Sequence, residues 1–168
     1  MSLLRFATLI LTFSVTSAAA MGACLPGTWD VDGQQLADTM GAQMGGTATY
    51  QGGSVSLEIS DSGEMLMRVD DLIIATQIPG APAMPVTING MSSASLTADD
   101  GENYVAEVSD YALLGSAEMM GTRMDIPVTS AGGAGWGESR GTYRCTDDTL
   151  TFEPTEPGSI PPSWRRVL

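Results

Sequence analysis

The sequence predicts an all-β protein, a soluble antiparallel barrel or sandwich of about eight to ten short strands with one helix near its start. Three observations predict it. Apolar and polar residues alternate through most of the chain beyond residue 46. Clusters of Asp, Asn, Ser and Gly interrupt that alternation at intervals of about 8–12 residues. Residues 34–44 carry the one persuasive run of apolar side chains at a helical period.

The chain opens with a segment excluded from the fold. Arg5 supplies a positive start, Leu9 to Val15 an apolar run, and Ser17-Ala18-Ala19-Ala20 the small residues of a cleavage site. Residues 1–20 therefore read as a secretory signal peptide, and residues 21–168 as one domain long enough to bury a full core. The apolar run is shorter than the ~20 residues of a membrane span, and no later segment is long and apolar enough for one.

A first strand starts at Gly27-Thr28-Trp29. The helix follows over Gln34–Met44, with Leu36, Met40 and Met44 on one stripe beside Ala37, Asp32 as N-cap, and Gly45-Gly46 ending it. Val55, Leu57 and Ile59 then alternate with polar residues, and Asp61-Ser62-Gly63 turns the chain into Met65, Met67 and Val69. Leu72–Ile78 reads as a separate strand. Residues 79–85 form an irregular connection, and Val86–Ile88 a short strand ending at Asn89-Gly90. Ser95–Ala98 leads into the tight-turn signal Asp99-Asp100-Gly101, and Tyr104–Val108 alternates again. Tyr111–Met119 fits a helical turn as well as a strand. Gly121–Val128 looks extended, and Ser130–Gly137 is a glycine-rich loop. Glu138–Cys145 and Thr149–Phe152 make a last hairpin around Asp147-Asp148, before an irregular proline-rich tail. A transmembrane barrel needs strands of about ten residues with aromatic girdles; the shorter runs and few aromatics here favour a soluble one.

The net charge is −13, and all 20 acidic residues lie within 21–168. Such a surface repels nucleic-acid phosphates and anionic lipid, so no nucleic-acid partner is expected; the charge serves solubility. Histidine and lysine are both absent. That removes Ser-His-Asp and Cys-His pairs, imidazole zinc sites, Schiff bases and P-loops. An enzyme is disfavoured, and neither a metal nor a cofactor is implied.

Cys24 and Cys145 are the only cysteines, an even count in an exported chain, which points to a disulfide. Lipidation of Cys24 after Met21-Gly22-Ala23 is the alternative, and it leaves Cys145 without a partner. Methionine pairs such as Met40/Met44 and Met65/Met67 match spacings of thioether Cu(I) sites, yet they equally match helix and strand core periods. Packing is the preferred reading. The acidic turns Asp30–Gly33 and Asp99–Asn103 do not complete a calcium loop. Glu58, Glu64, Asp70, Asp71 and Glu107 could supply an acid–base pair, but carboxylates on outward strand faces are commonplace.

Gly27-x-Trp29 at the head of the first strand, followed by an antiparallel meander, resembles the lipocalin and wider calycin pattern. "CLPGTW" (24–29) and "YRCTDDTLTF" (143–152) are together similar to small exported bacterial proteins of lipocalin-like fold, a likeness that carries no activity with it. It implies a single up-and-down barrel closed at one end by Trp29, with a late arginine over its ring. Arg144 is the preferred arginine, with Arg140 and Arg165 as further candidates. A helix after the first strand is similar to the fatty-acid-binding proteins, whose helices lid the barrel. The resemblance, with the methionine-rich inward faces, implies a non-catalytic exported binding protein holding a small apolar or amphipathic ligand. Val55, Leu57, Met65, Met67, Tyr104 and Trp136 would line the cavity. The alternative is a structural or interaction protein of the cell envelope whose barrel is filled by its own side chains. The expected location is periplasmic or secreted, or anchored through a lipid on Cys24, and the expected state a monomer.

Overall fold

The computed structural model of the chain describes residues 22–80, 82–119, 121–128, 139–155, 161 and 163–168. Expectations that fall on residues 1–20, on the glycine-rich loop and on Trp136 lie outside the described residues.

The short strand β1 (Gly27–Val31) leads into helix α1 (Gly33–Gln43). Four long strands follow, β2 (Thr47–Ile59), β3 (Glu64–Gln77), β4 (Met84–Ala98) and β5 (Asn103–Met119). Then come four short ones, β6 (Thr122–Pro127), β7 (Ser139–Cys145), β8 (Thr149–Pro154) and β9 (Ser163–Arg166). Every pairing is antiparallel. β1 pairs β2 on one side and β9 on the other, and β4 pairs β5, so the sheet closes into an eight-stranded up-and-down barrel. The ninth strand shares a wall position. β6 lies against Leu114–Met119 of β5 and β7 against Asn103–Ala106, so the two occupy successive lengths of one β5 edge.

Helix α1 forms as its caps require. The Asp32 carboxylate accepts the Gln35 amide at 3.0 Å, and Gly45 leaves the helix with φ of +68°. Leu36, Ala37 and Gly41 are buried. Full burial of a side chain such as Leu36 contributes about 1.5–3 kcal/mol. Gly41 lets the helix lie directly on the start of β2, because a Cβ there would come within 2.6 Å of the Ala48 amide nitrogen.

Three expected breaks are continuous strand. β3 runs through Asp70-Asp71, β4 through Asn89-Gly90, and β5 from Asn103 to Met119, which also settles Tyr111–Met119 as strand. The turn-like residues sit in β-bulges. Register shifts at Gly52–Gly53 of β2, between Val69 and Leu72 of β3, and between Ser93 and Ala94 where β4 meets β5. Asp71 takes φ of +45°, and its amide donates to Asn89 Oδ1 at 2.8 Å. Gly53, at φ of +87°, faces the Asp71 carbonyl so closely that a Cβ would collide with it. The expected irregular tail contains β9, the strand that closes the barrel on β1.

The two ends of the barrel differ. At one end the Cys24–Cys145 disulfide ties the N-terminal arm to the end of β7, with Cα atoms 6.0 Å apart. Leu25 is fully buried there, and its carbonyl accepts Trp29 Nε1–H at 3.0 Å. At the other end β2–β5 run past the short strands, and α1 packs chiefly on β2. The disulfide is compatible with an oxidising, extracellular compartment, and a cysteine so paired has no thiol left to carry a lipid. No described helix is long and apolar enough to cross a membrane.

Candidate functional site

Alternation fixes which side chains face inward. On β4 these are Ala98, Leu96, Ala94, Ser92, Ile88, Val86 and Met84, a wall of small and medium groups. On β5 they are Tyr104, Ala106 and Val108, then, after the bulge has shifted the phase by one, Tyr111, Leu113, Gly115 and Ala117. The short strands bring most of the bulk, joined by Tyr104 of β5. Trp29, Trp164, Phe152 and Tyr104 are at most 2 % exposed, and the Tyr104 and Phe152 rings meet edge-on at 4.9 Å. Aromatic groups thus fill much of the disulfide-end half of the described interior.

Val55, Leu57, Met65, Met67 and Tyr104, the expected lining residues, all belong to this one buried cluster. Register places Trp29, Leu57, Met67, Ser92 and Tyr111 side by side on five successive strands. The cation over Trp29 is Arg166, not Arg144, with its guanidinium carbon 4.1 Å from the ring centroid. Arg144 points outward from β7 beside Glu153, with 73 % of its side chain exposed. Arg140 and Arg165 are exposed as well. The reason is register. Arg166 stands directly opposite Trp29 on the neighbouring strand, whereas Arg165 stands opposite Asp30 on the outer face. Arg166 also donates to the carbonyls of Cys24, Pro26 and Asp147 at 2.6, 2.9 and 2.6 Å, sealing that end.

The helix end is not sealed in this way. Tyr50, Ile74, Val86, Ala117 and Met124 form one register row across β2 to β6, all on the inner face. Ile74 and Ala117 are buried, Tyr50 and Val86 half-buried, and Met124 is 47 % exposed despite facing inward. Met44 and Ile78, just beyond the helix and β3, are exposed as well. The result is an apolar rim, partly open. A partly open cavity of about 80 Å³ lies between β1, the helix start and the β2 bulge, lined by the exposed Asp30, Gly53 and Ser54 together with Val31, Gly33, Tyr50, Val55 and Leu72. It has room for a water or two and not for a larger guest. Outside the barrel, Asp32, Gln34, Gln35, Asp38, Ser163 and Arg165 line a shallow polar cleft of about 500 Å³.

Polar groups inside the described barrel are few and nearly all bonded. Tyr104 and Ser139 share a hydrogen bond of 2.6 Å, Ser92 donates to the Asp110 carbonyl at 3.2 Å, and Trp164 Nε1–H to that of Pro161 at 2.9 Å. The exception is the Tyr111 hydroxyl, which is buried with no partner. Loss of hydration there pushes its phenol up to about 12. Burial also raises Tyr104, offset in part by Ser139, and raises Tyr143, with the charges of Asp99, Glu102 and Asp100 adding to it.

The candidate carboxylates Glu58, Glu64, Asp70, Asp71 and Glu107 are all exposed. Asp99 spends its carboxylate on its own turn, accepting from the Gly101 and Asn103 amides and the Asn103 side chain, which lowers its pKa. No described group of three or more Asp, Glu or Cys is placed to hold a metal ion. Ser92, Tyr111, Arg166 and the rim row are absent from the sequence reading. Their signals are phase relations, of Ser92 with Ile88 and Leu96 and of Arg166 with Trp164. Compared with protein-family models, with curated proteins and with solved structures, the chain matches none.

Proposed function

We propose that this is an exported, non-catalytic binding protein of lipocalin-like form that takes a small apolar or amphipathic molecule at the helix end of its barrel. The observation that carries the reading is the contrast between the two ends. One is closed by Leu25, Trp29, Arg166 and the disulfide. The other presents the inward row Tyr50, Ile74, Val86, Ala117 and Met124 with its apolar surface partly in water. Exposed apolar surface on a concave face is where a guest gains about 25 cal/mol per Å² buried.

A filled, structural barrel is the second reading, and the aromatic packing of the disulfide-end half favours it. Titration with diphenylhexatriene, a hydrocarbon that fluoresces only out of water, separates the two. Saturable uptake by the protein, reduced at least tenfold in Met124→Asp, supports the binding reading. No uptake by a correctly folded, oxidised sample refutes it. Native mass spectrometry of protein purified from its own host then identifies any guest it carries.

A further inference from the structure

We propose that Met44 and Met124, at the open end of the barrel, are a modification site, and that oxidation of their thioethers by peroxide releases the guest. The inference rests on the binding reading above and adds its regulation.

Inward-facing positions of a barrel are normally its dry ones, and here two of them stay wet. Met44, the C-cap of α1, extends by one turn the stripe of Leu36, which is buried, and Met40, which packs on the core. Met124 ends the inner row that starts at Tyr50 and crosses β3, β4 and β5. The two are 42 % and 47 % exposed. Reduced, a thioether is flexible, polarisable apolar surface that adapts to the shape of a guest. Peroxide turns it into something else. One oxygen atom passes to the sulfur, the O–O bond breaks, an S–O bond forms from a sulfur electron pair, and water leaves. The sulfoxide is polar, and an apolar guest lying over it strips its hydration without returning a hydrogen bond. Affinity therefore falls. Among the described residues few other side chains compete for the oxidant. Both cysteines are already joined, leaving no free thiol. Met65, Met67, Trp29 and Trp164 are buried. Met91 is 46 % exposed, but it alternates with inward Ser92 and so stands on the outer face of β4, away from the guest.

The test exposes the disulfide-bonded mature protein to hydrogen peroxide. Peptide mass mapping reads the oxygen gained at each methionine, and diphenylhexatriene titration reads affinity. Met44, Met91 and Met124 are expected to react before Met65 and Met67. Peroxide should weaken diphenylhexatriene at least about tenfold in the native sequence and in Met91→Leu, and less than about twofold in the double variant Met44→Leu, Met124→Leu. Met44→Gln with Met124→Gln, which sets a polar amide where the sulfoxide would form, should show the loss without peroxide. Met44 and Met124 reacting no faster than Met65 and Met67 overturns the modification site. Full affinity after peroxide in the native sequence, an equal loss in the double leucine variant, or native affinity in the double glutamine variant overturns the regulation while the binding reading stands. Failure of the untreated protein to take up diphenylhexatriene removes the binding reading and this inference with it.

Discussion

Two tyrosines on the inner face of β5 should respond in opposite ways when each loses its hydroxyl. Tyr104 shares a 2.6 Å hydrogen bond with Ser139, and a bond of that kind contributes about 0.5–1.5 kcal/mol net. Tyr104→Phe should therefore lower the unfolding free energy by about 1 kcal/mol. Tyr111 makes no such bond, and its buried oxygen carries a desolvation cost of about 1–3 kcal/mol. Tyr111→Phe removes that cost without opening a cavity larger than one oxygen atom, so the guest-free protein should gain about 1 kcal/mol. The two variants then differ by about 2 kcal/mol, or about 6 °C in Tm for a domain of this size. Urea unfolding of the oxidised protein, followed by tryptophan fluorescence and by far-UV circular dichroism, measures both free energies and tests two-state behaviour. If Tyr111→Phe loses as much stability as Tyr104→Phe, the Tyr111 hydroxyl is bonded in solution and the reasoning fails.

Other perturbations have equally definite outcomes. Reducing Cys24–Cys145, which closes 121 residues of chain, should cost about 4–5 kcal/mol by the loop-entropy argument, read as the shift between urea curves with and without dithiothreitol. Arg166→Met should cost about 2–3 kcal/mol through lost carbonyl hydrogen bonds and the contact with Trp29, whereas Arg144→Met should change stability by less than about 0.5 kcal/mol, its ion pair being exposed; thermal melts of the pair decide. The tyrosines set an alkaline limit. Because folding raises the Tyr111 pKa from 10.0 to about 12, the unfolded chain gives up its phenolic proton first. Stability present below pH 10 is therefore lost as pH rises towards 12, and Tyr111→Phe should flatten that loss in urea titrations across the range. Asn89→Ala leaves the Asp71 amide without its acceptor inside the bulge and should cost about 1 kcal/mol by the same measurement.

What the sequence made legible was local. Alternation located the strands, Asp32 just before the apolar stripe located the helix cap, and an even count of two cysteines located the disulfide. The errors share one physical origin. A tight turn and a β-bulge both ask for residues that tolerate positive φ, so Asp70-Asp71 and Asn89-Gly90 look alike locally whether the chain reverses or merely kinks. Only pairing with strands far along the chain decides between them. The same long-range register determines that Arg166, and not Arg144, meets Trp29, and the bulge in β5 is what turns Tyr111 inward. The inward, buried placement of Val55, Leu57, Met65, Met67 and Tyr104 was readable because none of these assignments crosses a bulge.

The seam between β1 and β9 also bears on how the chain reaches its native state. Val31 must find Trp164, and Trp29 must find Arg166, across nearly the whole domain, so this pairing is the one with the largest loop to close. Barrels dominated by such distant pairings search slowly, in milliseconds to seconds, while their edges stand open to other chains. The covalent tie between Cys24 and Cys145 shortens that search. Once it forms, β1 is tethered beside the β7–β8 hairpin, and β9 has only to add as the last stave between partners already held together. Oxidation before folding thus acts on the rate of closure as well as on the stability of the closed barrel, and on how briefly β1 and β8 present bare edges to other chains in a crowded compartment.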